Sequence, residues 1–208
     1  MRVWREGAVH VSLNEVRTLV AKAAVGSGLP VGTAAEIGHA AAWLVAVGED
    51  GIGASVAGLS AKKTSSGSGM AFHGPGTVDL LLSTASGTAL AVESADAPVL
   101  LVGLIGQALA RDGREAEVTV SAEDGASVQV RGDGVSASPD ILGSAPQCPC
   151  LILTLHSGQA GTPPAAADGV LVDAADWRRL SDLAARTLVP ADTSSRDRGA
   201  GAGDIDNE

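Results

Sequence analysis

Aromatic side chains are almost missing from this 208-residue chain: tyrosine is absent, Phe72 is the single phenylalanine, and there are three tryptophans. Alanine and valine fill the hydrophobic quota of 45%, so each buried position brings little volume and the elements of the fold must approach closely. Cysteine is scarce too. Cys148 and Cys150 flank one proline, too near each other for an unstrained disulfide, and they imply no oxidising compartment. No apolar run approaches the roughly 20 residues of a membrane span, and the opening MRVWREGAVHVSL lacks the apolar stretch of an export signal. A cytoplasmic location with no membrane partner is the expectation. Basic residues are also few, with only Lys22, Lys62 and Lys63 as lysines, and the net charge is −10. Nucleic acid is therefore not expected as a partner, because that affinity needs a basic face to neutralise phosphates. The Ala and Gly usage reads as the background of a GC-rich bacterium.

What is present begins with helix signals. Ser12 and Glu15 form an S-x-x-E capping box, after which Leu13, Val16, Leu19, Val20 and Ala23 recur at helical spacing up to Gly26 and Gly28. Thr33 and Glu36 repeat the grammar ahead of Ile37, Ala40, Ala41, Leu44 and Val47. The short Leu29-Pro30-Val31-Gly32 connector makes the pair an antiparallel hairpin, with Trp43 as its bulky anchor. From Gly48 to Gly76 the periodicity fails, and the stretch reads as a mobile loop holding at most a short helix from Ala54 to Lys62. Thr77 to Leu82 opens a possible third helix.

After residue 87 strand patterns take over. Thr88 to Val92 reads as a strand, and Pro98 to Ala110 is a buried strand or a helix with proline at its first position. Ala116 to Ser121 and Ser127 to Arg131 alternate around Glu123-Asp124-Gly125, a hairpin signal. Leu151 to His156 is a further strand, Gly158 to Ala167 a linker, and Val170 to Val172 a short strand before Asp173 caps a last helix through Leu188. The fold class is α+β: an N-terminal helical hairpin, a mainly antiparallel sheet, a late C-terminal helix and an extended Gly/Ala tail. The chain divides into residues 1–87 with the mobile loop 48–76, residues 88–189, and the tail 190–208.

The tail, PADTSSRDRGAGAGDIDNE, sets arginines before a Gly-Ala run and closes on acids. It cannot bury enough apolar surface to offset its ordering entropy, so it is disordered or docks through backbone and charge contacts. VSLNEVRTLVAKAAVGSGLP and AAEIGHAAAWL at the start, ADAPVLLVGLIG in the middle and ARTLVPADTSSRDRGAGAGDIDNE at the end resemble the bacterial family catalogued as domain of unknown function 3726. The likeness runs over nearly the whole chain and is most specific in the closing segment, at Arg186, Thr187, Pro190, Ala191, Ser195, Arg196, Gly199, Gly201, Asp206 and Asn207. That resemblance implies no activity. The first fifty residues are also similar to the N-terminal helices of the malate and lactate dehydrogenases that lack a Rossmann domain. That family continues with Ser-His-Gly, which His73-Gly74 matches in part and further downstream.

No G-x-S-x-G elbow, phosphate-binding loop or H-E-x-x-H motif occurs, and the Gly199 to Gly203 run neither follows a strand nor opens a helix. His39, three residues after Glu36, has the spacing of a general base oriented by a carboxylate, or of an ordinary helix residue. His73 lies beside Gly74, Pro75 and Gly76, which permit close backbone approach to a ligand or simply make a turn. Arg186 and Arg196 offer guanidinium forks for a carboxylate or phosphate, with the amides of Gly199 and Gly201 as an anion nest, or else they pair with Asp182, Asp192 and Asp204. Cys148 and Cys150 are two thiols on one strand face or two small buried side chains, too few to close a metal site. No metal or cofactor is expected. The leading reading is a binding module or accessory subunit that self-associates or meets a partner protein, with its tail docked. The alternative is a metal-independent enzyme or binder for a small anionic metabolite.

Overall fold

A computed structural model describes residues 7–60, 69–139, 148–161 and 169–187. Its described elements are β1 (Ala8–Val11), α1 (Leu13–Gly26), α2 (Val31–Ala46), α3 (Gly51–Ser60), α4 (Met70–Ser83), β2 (Ala89–Ala95), α5 (Pro98–Asp112), β3 (Ala116–Ala122), β4 (Ser127–Arg131), β5 (Gly134–Val135), β6 (Cys148–Ser157), β7 (Val170–Asp173) and α6 (Ala174–Ala185). This is an α+β fold with antiparallel sheets, as the sequence pattern indicates. The closing Gly/Ala segment lies outside the described residues.

The capping box at α1 is complete. The Glu15 amide donates to Ser12 Oγ at 3.2 Å, and the Ser12 amide donates to Glu15 Oε2 at 2.8 Å. The matching box expected at Thr33 and Glu36 does not form: α2 starts three residues earlier, with Pro30 at its N-cap and the Ala34 amide bonded to the Pro30 carbonyl at 2.9 Å. Proline fixes the backbone ahead of the first turn, so Thr33 is already inside the helix and Glu36 lies half-buried on its second turn.

The larger departure is between Gly48 and Gly76. Helices α3 and α4 occupy most of this stretch, and residues 61–68 lie outside the described residues. Asp50 starts α3, its Oδ1 accepting from the Gly53 amide at 2.8 Å. Gly51, Ile52, Ala54, Ser55, Val56 and Gly58 are all buried in α3, so the helix shows no polar face and no legible period. Glycine lowers helix propensity, but here it allows close contact: a Cβ on Gly58 would lie 2.6 Å from Leu100 Cδ2, and one on Gly74 in α4 would lie 2.6 Å from Leu104 Cδ1.

Helix α5 is the centre of the molecule. Leu100, Leu101, Val102, Leu104, Ile105 and Leu109 are at most 2% exposed, and α2, α3, α4 and the sheet all pack on it. A Cβ on Gly103 would sit 2.7 Å from Leu44 Cδ1, and one on Gly106 would run into the Trp43 ring. Trp43 also donates from Nε1 to the Gly132 carbonyl at 2.9 Å, tying α2 to the turn after β4. The anchor expected from sequence is thus real, and its partner is a glycine on α5.

The larger sheet has the order β2-β6-β3-β4-β5, with every neighbouring pair antiparallel. Strands β2 and β3, joined through α5, leave one slot between them, and β6 fills it. Along the rows, Leu90 pairs Leu153, Leu153 pairs Val120 and Val120 pairs Val128. Leu151, Leu153, Leu155, Val118, Val120, Val128 and Val130 form the covered face. Strands β1 and β7 make a separate antiparallel pair, with His10 opposite Leu171. Helix α6 follows directly and packs on α1, where Gly26 leaves room for the Leu183 carbonyl.

The α2–α5 seam predicts a sharp contrast between two glycines. Gly106→Ala inserts a methyl into the Trp43 ring and is expected to lower unfolding free energy by about 1–3 kcal/mol. Gly76→Ala, in α4 with nothing near its Cβ, is expected to raise it by up to about 1 kcal/mol through helix propensity. Denaturant midpoints of the two variants check both signs.

Candidate functional site

The ends of four helices surround a recess of about 140 Å³. Ser27 and Leu29 come from the α1–α2 turn, Gly58 and Leu59 from α3, Gly69 and Phe72 from the start of α4, and Leu183 and Arg186 from the end of α6. Local sequence explains each wall. Ser27 closes α1, its hydroxyl donating to the Ala23 carbonyl at 2.9 Å, and Gly28 at φ +93° turns the chain so that Leu29 goes inward. Asp173 begins α6 by accepting from the Ala175 and Asp176 amides at 2.8 and 2.9 Å, as its sequence position indicates. Three turns later the helix delivers Leu183 and Arg186 to the recess.

Arg186 is exposed and caps α6, its amide bonded to the Leu183 carbonyl at 3.1 Å. Among the described residues its guanidinium makes no ion pair, with Asp182 or any other acid. Arginine elsewhere on α6 is engaged, since Arg179 Nη1 lies 2.8 Å from Asp176 Oδ1. The first amide of α4 is also taken: Met70 donates to Asp96 Oδ1 at 2.7 Å. A carboxylate already sits at that helix end, and Arg186 is the charged side chain among the residues that line the recess.

His73 does not line the recess. The Met70 to Gly76 segment is the first two turns of α4, not an open turn, with Pro75 inside the helix and Gly74 buried against Leu104. The His73 ring is carried to the exposed side, one position past Phe72. His39 lies elsewhere, on α2 among Glu36, Arg17 of α1, Arg111 of α5 and Asp79 of α4. Partial burial, Arg17 and Arg111 hold His39 below the ordinary histidine range. Partial burial and the nearby Asp79 push Glu36 upward, against the opposing pull of Arg111. None of these five residues touches the recess. Arg196, Gly199 and Gly201 lie outside the described residues. Cys150 is a half-buried free thiol paired across strands with Glu93, and Cys148 pairs with Ala95 in the same ladder. No group of three or more metal-ligating side chains occurs among the described residues.

Sequence reasoning did not find Ser27, Leu59, Phe72 or Leu183 as neighbours. The available signal was the close spacing of Ser27, Gly28 and Leu29 after a strong helix, but nothing in it reveals which distant helix ends meet there.

The chain is thus an α+β protein with a small, singly charged recess at a junction of helix ends. Residues 11–80 match a family model described as a protein of unknown function (DUF3726), which is about a third of the chain. The match runs from the end of β1 into α4, so the likeness of the closing segment falls outside it. No curated protein and no solved structure matches the chain. Among the described residues no helix is long and apolar enough to cross a membrane.

The raised Glu36 gives a pH signature. A carboxyl whose folded pKa exceeds its unfolded value favours the fold while protonated, and that contribution is lost as pH rises through the folded pKa. Glu36→Gln is therefore expected to raise the melting temperature at neutral pH and to leave it unchanged below about pH 4, where both states are protonated. Thermal melts at the two pH values provide the check, and an equal gain at both would assign the effect to packing.

Proposed function

We propose that this protein is a binding module or accessory subunit, and that the recess beside Arg186 seats an acidic side chain or chain terminus. The observation that carries this reading is an exposed guanidinium, unpaired among the described residues, at the mouth of an apolar-walled recess. Size argues for an anchor group over a whole metabolite. Small-molecule sites commonly enclose about 300–1,000 Å³, whereas this recess offers about 140 Å³, room for one side chain. Leu29, Leu59 and Phe72 contact the stem of such a group while Arg186 meets its charge.

The favoured occupant is the acidic end of the chain itself. Residues 188–208 follow directly from the helix that carries Arg186, and they include Asp204, Asp206 and Glu208. A neighbouring copy's tail satisfies the same chemistry. The alternative is a small anionic metabolite, for which Arg186 supplies the carboxylate or phosphate contact. Arg196 and the glycines after it extend either version of the site.

A truncated protein ending at Thr187 is expected to bind a synthetic peptide of residues 190–208, measured by titration calorimetry. Replacing Arg186 with alanine removes one charge-assisted contact at a partly solvated site. That loss is worth about 1–2 kcal/mol, so affinity falls roughly 5- to 30-fold. Small carboxylates or phosphate producing an Arg186-dependent thermal shift, with no peptide binding, would favour the metabolite reading. Binding of neither class would remove the recess as a site.

A further inference from the structure

We propose that strand β2 is the joining edge of a two-fold dimer, in which the five-stranded sheets of two copies of this chain run together through antiparallel β2–β2 pairing. The inference rests on the sheet edge and is independent of the recess.

The two edges of the sheet are treated differently by the sequence. On one side β5 is two residues long, Gly134–Val135, too short to template another strand. On the other, β2 runs seven residues and, among the described residues, pairs only with β6. Natural sheets guard such edges with lysine, proline, bulges or a covering element, because unpaired amide and carbonyl groups recruit further strands. Among the described residues, Ala89 to Glu93 carries no lysine, proline, bulge or covering element, and Glu93 is its one charge: the sequence is Ala-Leu-Ala-Val-Glu, with an unbroken register against Thr154 to Cys150. Ala89, Ala91 and Glu93 are exposed, and their small or single charged side chains leave the edge sterically open.

This stretch is also complementary to itself. In an antiparallel pair centred on Ala91, the two Ala91 residues face each other, Leu90 lies opposite the partner's Val92, and Glu93 lies opposite the partner's Ala89. The leucine and valine fall on the covered face, where they continue the rows of Leu153 and Leu151 across the junction. Leu90 is only partly buried within one chain although it belongs to that apolar row, and a partner's valine completes it. The two Glu93 carboxylates are kept at opposite ends of the paired segment, so no like charges oppose each other. Stable interfaces bury about 800 Å² per partner, more than a five-residue ladder supplies. Leu80 contributes on the other layer: it is 54% exposed on α4, the helix that packs over β6, and joining the sheets sets the two helix layers side by side.

Sedimentation or light scattering on the full chain across a dilution series tests the proposal. The native protein is expected to show twice the 20.5 kDa chain mass. Ala91→Lys places two ammonium groups face to face at the two-fold axis, where paired residues lie about 4.5–5.5 Å apart. That variant is expected to be monomeric with an unchanged far-ultraviolet dichroism spectrum. Gln129→Lys, an exposed change on β4 away from the edge, serves as the control and is expected to remain dimeric. A monomeric native protein would overturn the proposal. So would an Ala91→Lys protein that stays dimeric, or a Gln129→Lys protein that dissociates.

Discussion

Close approach of helix backbones at small residues is the constraint on which the rest of the structure depends. A core drawn from alanine, valine and leucine cannot span wide gaps between elements, and apolar contact decays within a fraction of an ångström. Glycines are placed where the helices meet: Gly38 against the Arg17 carbonyl, Gly103 and Gly106 against Leu44 and Trp43, Gly58 and Gly74 against leucines of α5. Each trades helix propensity for proximity. At Gly58, Gly74, Gly103 and Gly106 the space is filled by a large side chain, Trp43, Leu44 or a leucine of α5, while at Gly38 it admits the α1 backbone itself.

That packing fixes the sheet. With α5 buried on nearly every side, its two flanking strands are held apart by one strand width, and the chain must return to fill the slot with β6. The return makes β3 and β6 interior strands and leaves β2 at the margin, beside the strand on which α4 packs. That β2 has a single strand neighbour among the described residues is a consequence of the crossover. That it carries a single charge, Glu93, and no lysine or proline from Ala89 to Glu93 is a property of the sequence.

The sequence revealed most where a local chemical signal coincides with an element boundary. The Ser12 box, the hairpin at Glu123-Asp124-Gly125 and the Asp173 cap all fall where the pattern places them, because each is a backbone hydrogen bond satisfied by a neighbour in the chain, and Pro98, which left strand or helix open, opens the helix α5. Helices α3 and α4 escaped because their signals are tertiary: Gly51, Gly53, Gly58 and Gly74 mark loops on propensity and close contacts in the fold. Strand β1 escaped for a related reason, since four residues ahead of a strong cap carry little pattern and pair with β7 some 160 positions later. Of the candidate site residues that are described, His39, His73 and Arg186, the last lines the recess. His39 and His73 are drawn to separate surfaces by the helices that bear them.

The recess itself is a composite of two unequal contributions. The part of the chain that matches the family model, residues 11–80, provides Ser27, Leu29, Gly58, Leu59, Gly69 and Phe72, which set its shape and apolar character. Helix α6, from outside that span, provides Leu183 and the guanidinium of Arg186. Shape without charge would accept any small apolar group, and charge without shape would be an exposed arginine worth little against solvent. The guanidinium and the apolar walls come together only where α6 docks on α1. At that docking Gly26 admits the Leu183 carbonyl, and β7, paired with the four-residue β1 that leads into α1, runs straight into α6, so the first and last described elements meet on either side of the arginine's helix.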